Sequence, residues 1–251
     1  KGINEKLSIY SYNLVLFGLT GSQDGKAFSV QEIVGNGQVD GLLVDDNVAP
    51  QTIAFLCQNN FPFVQIGTDV GKVSGYDYNR VVINSDIVYW QAVKYLTEKG
   101  RRNIAFLQGY VFDEPKTQRV QFIRSVLETL GLQEKKEYFL HGRYGEESGR
   151  QMAKKLFSGG FPLPGAIITN EDMLALGAIK EARERGILIP EDLMVVGVGD
   201  YLLDSFLTTF RTPAYEMGSE AAEILIQNLQ PGQKHLPKEK VLLPELIIRE
   251  T

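Results

Sequence analysis

Cysteine and histidine, the residues most used for metal and redox chemistry, are almost missing from this 251-residue chain, which has one cysteine, Cys57, and two histidines, His141 and His235. One thiol makes no disulfide framework, and with two isolated histidines it makes no zinc set of the usual spacing. No metal, no cofactor and a cytoplasmic setting are therefore expected. Long apolar runs are missing too: none approaches the ~18 residues that span a membrane. Nor is there an excess of basic charge. With 26 Lys and Arg against 31 Asp and Glu the formal net charge is −5, so these residues alone are not a nucleic-acid-binding surface, and any DNA contact must come from elsewhere. The opening "KGINEKLSIYSYNLVLFG" lacks the basic, apolar and small-residue regions of a secretion signal. Its apolar residues Ile3, Leu7 and Tyr10 predict an amphipathic helix that runs into a buried strand at 13–18.

Catalytic and phosphate-binding motifs are approached but not completed. "GSQDGKA", Gly21–Ala27, is one residue short of a nucleotide-binding loop and has Ala27 where a magnesium-binding hydroxyl belongs. Gly197-Val198-Gly199 opens a dinucleotide fingerprint, but Leu202 stands where its third glycine would sit. "GKVSG" is not a nucleophile elbow, and neither histidine has a Ser/Asp context nearby. No catalytic residue is assigned, and the chain is read as a binding protein and not an enzyme. The acid pairs Glu146-Glu147 and Glu191-Asp192 read as helix or turn starters, and Trp90, in the helically spaced run Ile87, Tyr89, Trp90, Val93, reads as core.

What is present is alternation. Continuous apolar runs at 14–19, 41–44, 63–66, 81–83, 104–107, 166–169 and 193–196 are separated by helical patterns at 28–34, 49–58, 87–99, 117–130, 146–158, 172–185 and 215–229. Unbroken Val/Ile/Leu runs mark strands covered on both faces, so the class is α/β with mainly parallel sheets flanked by helices. So many βα units exceed one open sheet and predict two similar lobes. Residues 1–84 with 208–230 form the amino-terminal lobe and 85–207 with 231–251 the carboxyl-terminal lobe, with a ligand cleft expected between them at strand carboxyl ends.

The segments Tyr95–Gly109 ("YLTEKGRRNIAFLQG"), Thr169–Asp200 ("TNEDMLALGAIKEARERGILIPEDLMVVGVGD"), Leu207–Ala222 ("LTTFRTPAYEMGSEAA") and Leu242–Glu250 ("LLPELIIRE") follow one another in an order that resembles the effector-binding core of the lactose-repressor (LacI/GalR) family of bacterial transcription regulators. "QVDGLLV" and "FPFVQIG" are similar to its earlier strands. The resemblance implies a periplasmic-binding-protein-like (type I) sensor that is dimeric, binds a small molecule such as a sugar, sugar phosphate or nucleoside, and alters operator affinity allosterically as a repressor. The family's DNA-binding headpiece and first core strand have no counterpart in these residues.

Carried over by position, the resemblance assigns effector contacts to Arg119, Tyr144, Glu171, Asp172, Gly199, Asp200, Gly67 and Thr68. Within the pair Glu171-Asp172 the first residue would reach the ligand and the second would start the helix. Gly67 and Gly199 replace polar side chains of the family pattern, and a larger ligand would occupy the vacated volume, with Glu171, Asp69 or Asp200 as substitute acceptors. Leu174, Leu176, Leu203 and Phe206 are the candidates for a homodimer interface. The alternative is the extracytoplasmic solute-binding protein of a transporter, which shares the architecture.

Overall fold

The computed structural model describes residues 1–17, 29–46, 48–69, 71–110, 117–202, 206–230 and 237–251. In chain order its elements are α1 (Gly2–Ile9), α2 (Val30–Gly35), β1 (Leu42–Asp45), α3 (Pro50–Gln58), β2 (Phe63–Thr68), β3 (Asn79–Ile83), α4 (Ser85–Glu98), β4 (Ile104–Tyr110), α5 (Thr117–Thr129), β5 (Phe139–Arg143), α6 (Glu146–Ser158), β6 (Ala166–Thr169), α7 (Asp172–Glu184), β7 (Met194–Gly199), β8 (Thr208–Arg211), α8 (Ala214–Leu229), β9 (Glu239–Leu242) and β10 (Glu245–Ile247). They form two compact units, Lys1–Ile83 with Pro213–Leu242 and Asn84–Thr212 with Leu243–Thr251.

The first unit holds a parallel sheet of order β1-β2-β3-β9. Val64, Val81 and Ile83 pack on α8 through Met217, Ala221, Ile224 and Leu225, while Val44 and Phe63 pack with Ile53 and Leu56 of α3. Leu7 of α1 meets the other side of α8 at Ala222 and Ile226. Helix starts follow their sequence signals. Ser29 accepts from the Glu32 amide and Glu32 answers on the Ser29 amide, a reciprocal cap of α2, and Pro50 opens α3, where its missing N–H costs nothing.

The second unit holds six strands in the order β10-β8-β7-β6-β4-β5, all parallel except β10 against β8. Along β4, Ile104 and Phe106 face a core with α4 and α5, while Ala105 and Leu107 face a core with α6 and α7. Period-two alternation between two apolar layers explains why its sequence reads as an unbroken apolar run. Gly100, Gly131 and Gly186, which follow α4, α5 and α7, have φ of +81°, +65° and +72°, the left-handed conformation that ends a helix at low cost in glycine.

Four expectations need correction. Residues 13–17 are extended but form no strand and Leu16 is 87% exposed, so the apolar run there is not a buried strand where it is described. Trp90 is 37% exposed because the buried face of α4 is Val88, Tyr89, Ala92, Val93 and Leu96, which keeps Tyr89 and Val93 of the expected run and leaves Trp90 at its margin. β8 belongs to the second unit's sheet, because the hydroxyls of Thr208 and Thr209 are satisfied inside it and Phe210 is core. β9 pairs with β3 and so stays in the first unit. The chain therefore changes units at 212/213 and 242/243, later than the expected limits of 208 and 231.

Helices α6 and α7 cross at two glycines. A Cβ at Gly177 would fall on the Glu146 carbonyl oxygen and 2.6 Å from the Arg150 amide nitrogen; one at Gly149 would fall on the Leu174 carbonyl oxygen, 2.7 Å from its Cα. Backbone cannot yield as a flexible side chain does, so Gly177→Ala is expected to separate the helices and cost about 2–4 kcal/mol despite alanine's better helix propensity. Urea denaturation should show a lower midpoint with an unchanged slope.

Candidate functional site

Parallel strands direct their carboxyl ends to one edge of a sheet, where loops leave side chains and amides unpaired. In the second unit that edge is organised by Asp172, the first residue of α7, which is only 1% exposed. Its Oδ1 accepts from Thr209 Oγ1 and its Oδ2 from the Asp200 amide, both at 2.6 Å, and the Tyr201 amide also donates to this carboxylate. A Cβ at Gly197 would fall on Asp172 Oδ1, so that glycine is what lets the acid lie against β7. Burial raises the Asp172 carboxyl above the usual range, the Thr209, Asp200 and Tyr201 donors oppose this, and the nearby Asp200 charge adds to the rise.

Beyond β7 the chain turns on Gly199, φ +139°, and Asp200, φ +60°. Aspartate is among the few side chains that tolerate the left-handed region. Asp200 is gripped by two arginines, Arg211 Nε on Oδ2 and Arg249 Nη2 on Oδ1, each at 2.7 Å, and Arg249 also donates to the Leu207 carbonyl at 2.8 Å. Burial alone would raise the Asp200 carboxyl, but the hydrogen bonds and charges of Arg249 and Arg211 outweigh it and hold the group below the usual carboxylate range.

The helix start expected of Asp172 falls to Glu171. Glu171 is the N-cap of α7: its Oε2 accepts from the Leu174 amide at 3.3 Å and the Gly145 amide at 3.4 Å. Burial raises its carboxyl, with the Gly145, Met173 and Leu174 amides opposing. Asn170, not singled out from the sequence, adds a rung between β6 and β4. Its Oδ1 accepts from the Gly109 amide at 2.7 Å and its Nδ2 donates to the Gly109 carbonyl at 2.9 Å. Tyr144, 39% exposed, lies against this rung, with ring carbons 2.5 and 2.8 Å from where a Gly109 Cβ would stand. Arg119, half-buried in the first turn of α5, is near enough to Tyr89 to act electrostatically on its hydroxyl, which donates to Gln108 Oε1 at 2.8 Å.

Thus Tyr144, Glu171, Asp172, Gly199, Asp200 and Arg119 all belong to the second unit, at or just beyond its strand ends. Gly67 and Thr68 belong to the first, at the end of β2. The volume expected to be vacant at the two glycines is filled by the protein. At Gly67, a Cβ would lie 2.7 Å from Cβ and 2.8 Å from Oδ1 of Asp46, whose Oδ2 accepts from the Thr68 amide at 2.8 Å. At Gly199 it would lie 2.6 Å from Cδ2 and 2.9 Å from Cζ of Tyr201. Asp69, expected as a substitute acceptor, is bound at 2.6 Å by the buried Arg80, which also holds Glu239 at 2.9 Å. Among the described residues no group of three or more His, Cys, Asp or Glu is arranged to hold a metal ion.

Of the interface candidates, Leu174 is fully buried in its own unit's core and has no surface left to offer a partner. Leu176 is half-buried, Phe206 packs on that core with the Arg183 guanidinium 4.7 Å from its ring centroid, and Leu203 lies outside the described residues.

Residues 93–251 match the family model of a periplasmic binding protein-like domain. Catabolite control protein A of Priestia megaterium is 28% identical over 90% of this chain and 68% of its own length. A regulatory protein of the LacI family from Chloroflexus aggregans is 32% identical, with a TM-score of 0.74 over 88% of this chain and 79% of that one. The transcriptional regulator CelR in complex with cellobiose is 26% identical, with a TM-score of 0.80 over 99% of this chain and 76% of that one.

Because Asp200 is held below its unfolded pKa, about 3.9, the stability its pairs contribute is complete above that value and is lost as pH falls through the lower folded value. Asp200→Asn should cost about 1–3 kcal/mol at pH 7, with a smaller difference from the unsubstituted chain at pH 3. Chemical denaturation at the two pH values checks both parts.

Proposed function

Since the chain belongs to the LacI/GalR family of transcriptional regulators, as the ligand-sensing core and not as an enzyme, we propose that it binds a sugar or sugar derivative at the carboxyl-end edge of its second unit and thereby alters operator affinity through the family's DNA-binding headpiece. The observation that carries this is the Asp172 tether. It fixes the turn Gly199–Tyr201 by backbone donors, on the same strand-end edge that carries Asn170 and Tyr144 and where α/β folds bind ligands. A surface rigid before the ligand arrives loses less entropy on binding. The cellobiose held by the related regulator supports a sugar-like ligand class.

Arg119 supplies the fork of donors, a rigid planar group suited to vicinal hydroxyls or a carboxylate. Coupling to DNA runs through the turn itself. Asp200 is bound to Arg211, which precedes the change of units at 212/213 by one residue, and to Arg249, which follows the change at 242/243. A ligand that draws on Asp200 or its neighbours therefore bears on a residue next to one of the three passages and on one in the short segment that follows another, and differential affinity for two arrangements is all that an allosteric ligand requires. The regulator acts as a cytoplasmic homodimer, with Leu176 and Phe206 as the surviving interface candidates of the described residues.

Arg119→Ala is expected to abolish ligand-induced thermal stabilisation while leaving the ligand-free midpoint within a degree or two, because its side chain contributes little to the cores. Differential scanning fluorimetry against sugars, sugar phosphates and nucleosides measures both quantities. A normal ligand response in the variant would remove Arg119 from the site.

A further inference from the structure

We infer that Tyr89 and Gln108 are positioning residues: buried inside the second unit, and without reaching a ligand themselves, they set the direction of the Arg119 guanidinium. This role rests on the reading that Arg119 meets the effector.

Four elements place a polar residue at the same height above one core. Val93 of α4, Phe106 of β4 and Ile123 of α5 are buried in a single apolar cluster, which Phe139 joins from β5 with its ring stacked on Phe106 at 5.0 Å. One step nearer the strand carboxyl ends, four residues back along each helix and two residues on along each strand, stand Tyr89, Arg119, Gln108 and His141. Both steps keep the same face and advance about 6 Å, at ~1.5 Å per residue in a helix and ~3.3 Å in a strand. The core therefore ends in a level polar layer, with Gln108 and His141 opposite each other in register.

Gln108 is 4% exposed at a position where the alternation Ile104, Phe106 would continue with an apolar residue, and a buried amide short of partners is costly. Its partner is Tyr89, 2% exposed, whose hydroxyl donates to Gln108 Oε1 at 2.8 Å. A phenol has one proton, so once that proton is given to Gln108 the Tyr89 oxygen has only lone pairs left to offer. Lone pairs attract a cation. Arg119 supplies it, one turn from Ile123 on the face of α5 that packs with α4: burial raises the pKa of the Tyr89 hydroxyl, and the Arg119 charge opposes that rise. The guanidiniums of Arg80, Arg211 and Arg249 are each fixed by carboxylates, whereas among the described residues no carboxylate pairs with Arg119. Its order falls to the neutral oxygen of Tyr89, and a guanidinium already aimed loses less freedom when a ligand arrives.

NMR of the full chain tests the proposal without a ligand, through the heteronuclear NOE of the Arg119 Nε–H group, identified by its absence in Arg119→Lys. In the unsubstituted chain it should lie well above that of the exposed Arg102. Tyr89→Phe, which keeps the ring and loses the hydroxyl, should bring it down toward the Arg102 value. The same substitution strands the Gln108 amide and should lower the thermal midpoint, whereas Tyr89→Phe combined with Gln108→Leu removes both partners and should restore most of it. Arg119 should stay mobile in that double variant. A pair with a purely structural role would restore both readings together, and that result overturns the proposal. So does an Arg119 signal that is unchanged in Tyr89→Phe, or as mobile as Arg102 from the start. Calorimetric titration with glucose, ribose and cellobiose decides the site reading separately. Whichever sugar binds should bind about three- to tenfold more weakly to Tyr89→Phe, and equal affinity overturns the proposal. If none binds, or if Arg119→Ala binds as the unsubstituted chain does, the site reading fails, and the NMR result alone decides what orders Arg119.

Discussion

Removing a carboxylate from water costs several kcal/mol unless donors replace the lost hydration. Asp172 is almost wholly removed, and it is the demand for replacement donors that shapes the second unit's strand ends. Thr209 supplies a hydroxyl from β8, and the amides of Asp200 and Tyr201 can reach only because the preceding residues adopt positive or unusual φ. Gly197 must be bare for the acid to approach β7. One side chain thus ties the first residue of α7 to two strands and a turn, and α7 is in turn locked to α6 through backbone contact at Gly149 and Gly177. What projects from the edge, Tyr201 above all, inherits its position from that carboxylate.

The sequence pattern makes the parallel core strands of the second unit legible because each is covered on both faces, so β4, β6 and β7 carry continuous apolar runs. β5, reading Phe-Leu-His-Gly-Arg, lies at a sheet edge and carries no such run. β8 is concealed for a different reason. Its two threonines look like linker residues, and their burial is tolerated only because Asp172 and Thr251 satisfy the hydroxyls, partners 37 and 43 residues away. The sequence marks where β6 gives way to α7, but not the local task of each acid there. Adjacent acids at a helix start are equivalent on paper. Only the direction of each side chain assigns capping to Glu171 and the strand tether to Asp172. In the same way a glycine in the sequence reads as empty space, whereas Asp46 and Tyr201 fill the two places concerned from neighbouring positions.

Both units place a carboxylate–arginine cluster close to strand ends. In the first, Arg80 joins Asp69 to Glu239; in the second, Asp200 joins Arg211 to Arg249. Such pairs gain little net stability over well-packed apolar groups, since desolvation offsets most of the attraction, but breaking one leaves a charge without its partner. Their effect is better described as fixing register: Glu239 is locked beside Arg80 at the start of β9, and Arg249 holds the segment after β10 against the turn at 200. The opposed pKa directions of Asp200 and Asp172 follow from this difference in partners, cations for one and neutral donors for the other.

Each sheet is completed by a strand from late in the chain, β9 in the first unit and β10 in the second. On a ribosome, then, the strands Leu42–Ile83 wait for an edge partner and for α8 while Asn84–Thr212 of the second unit is made, and the six-stranded sheet waits in turn for Glu245–Ile247. Closure of such distant contacts is slow and leaves strand edges open meanwhile. The architecture that lets three passages of chain join two sheets therefore also gives the nascent protein a long interval of vulnerability to mispairing, during which a chaperone has the most to protect.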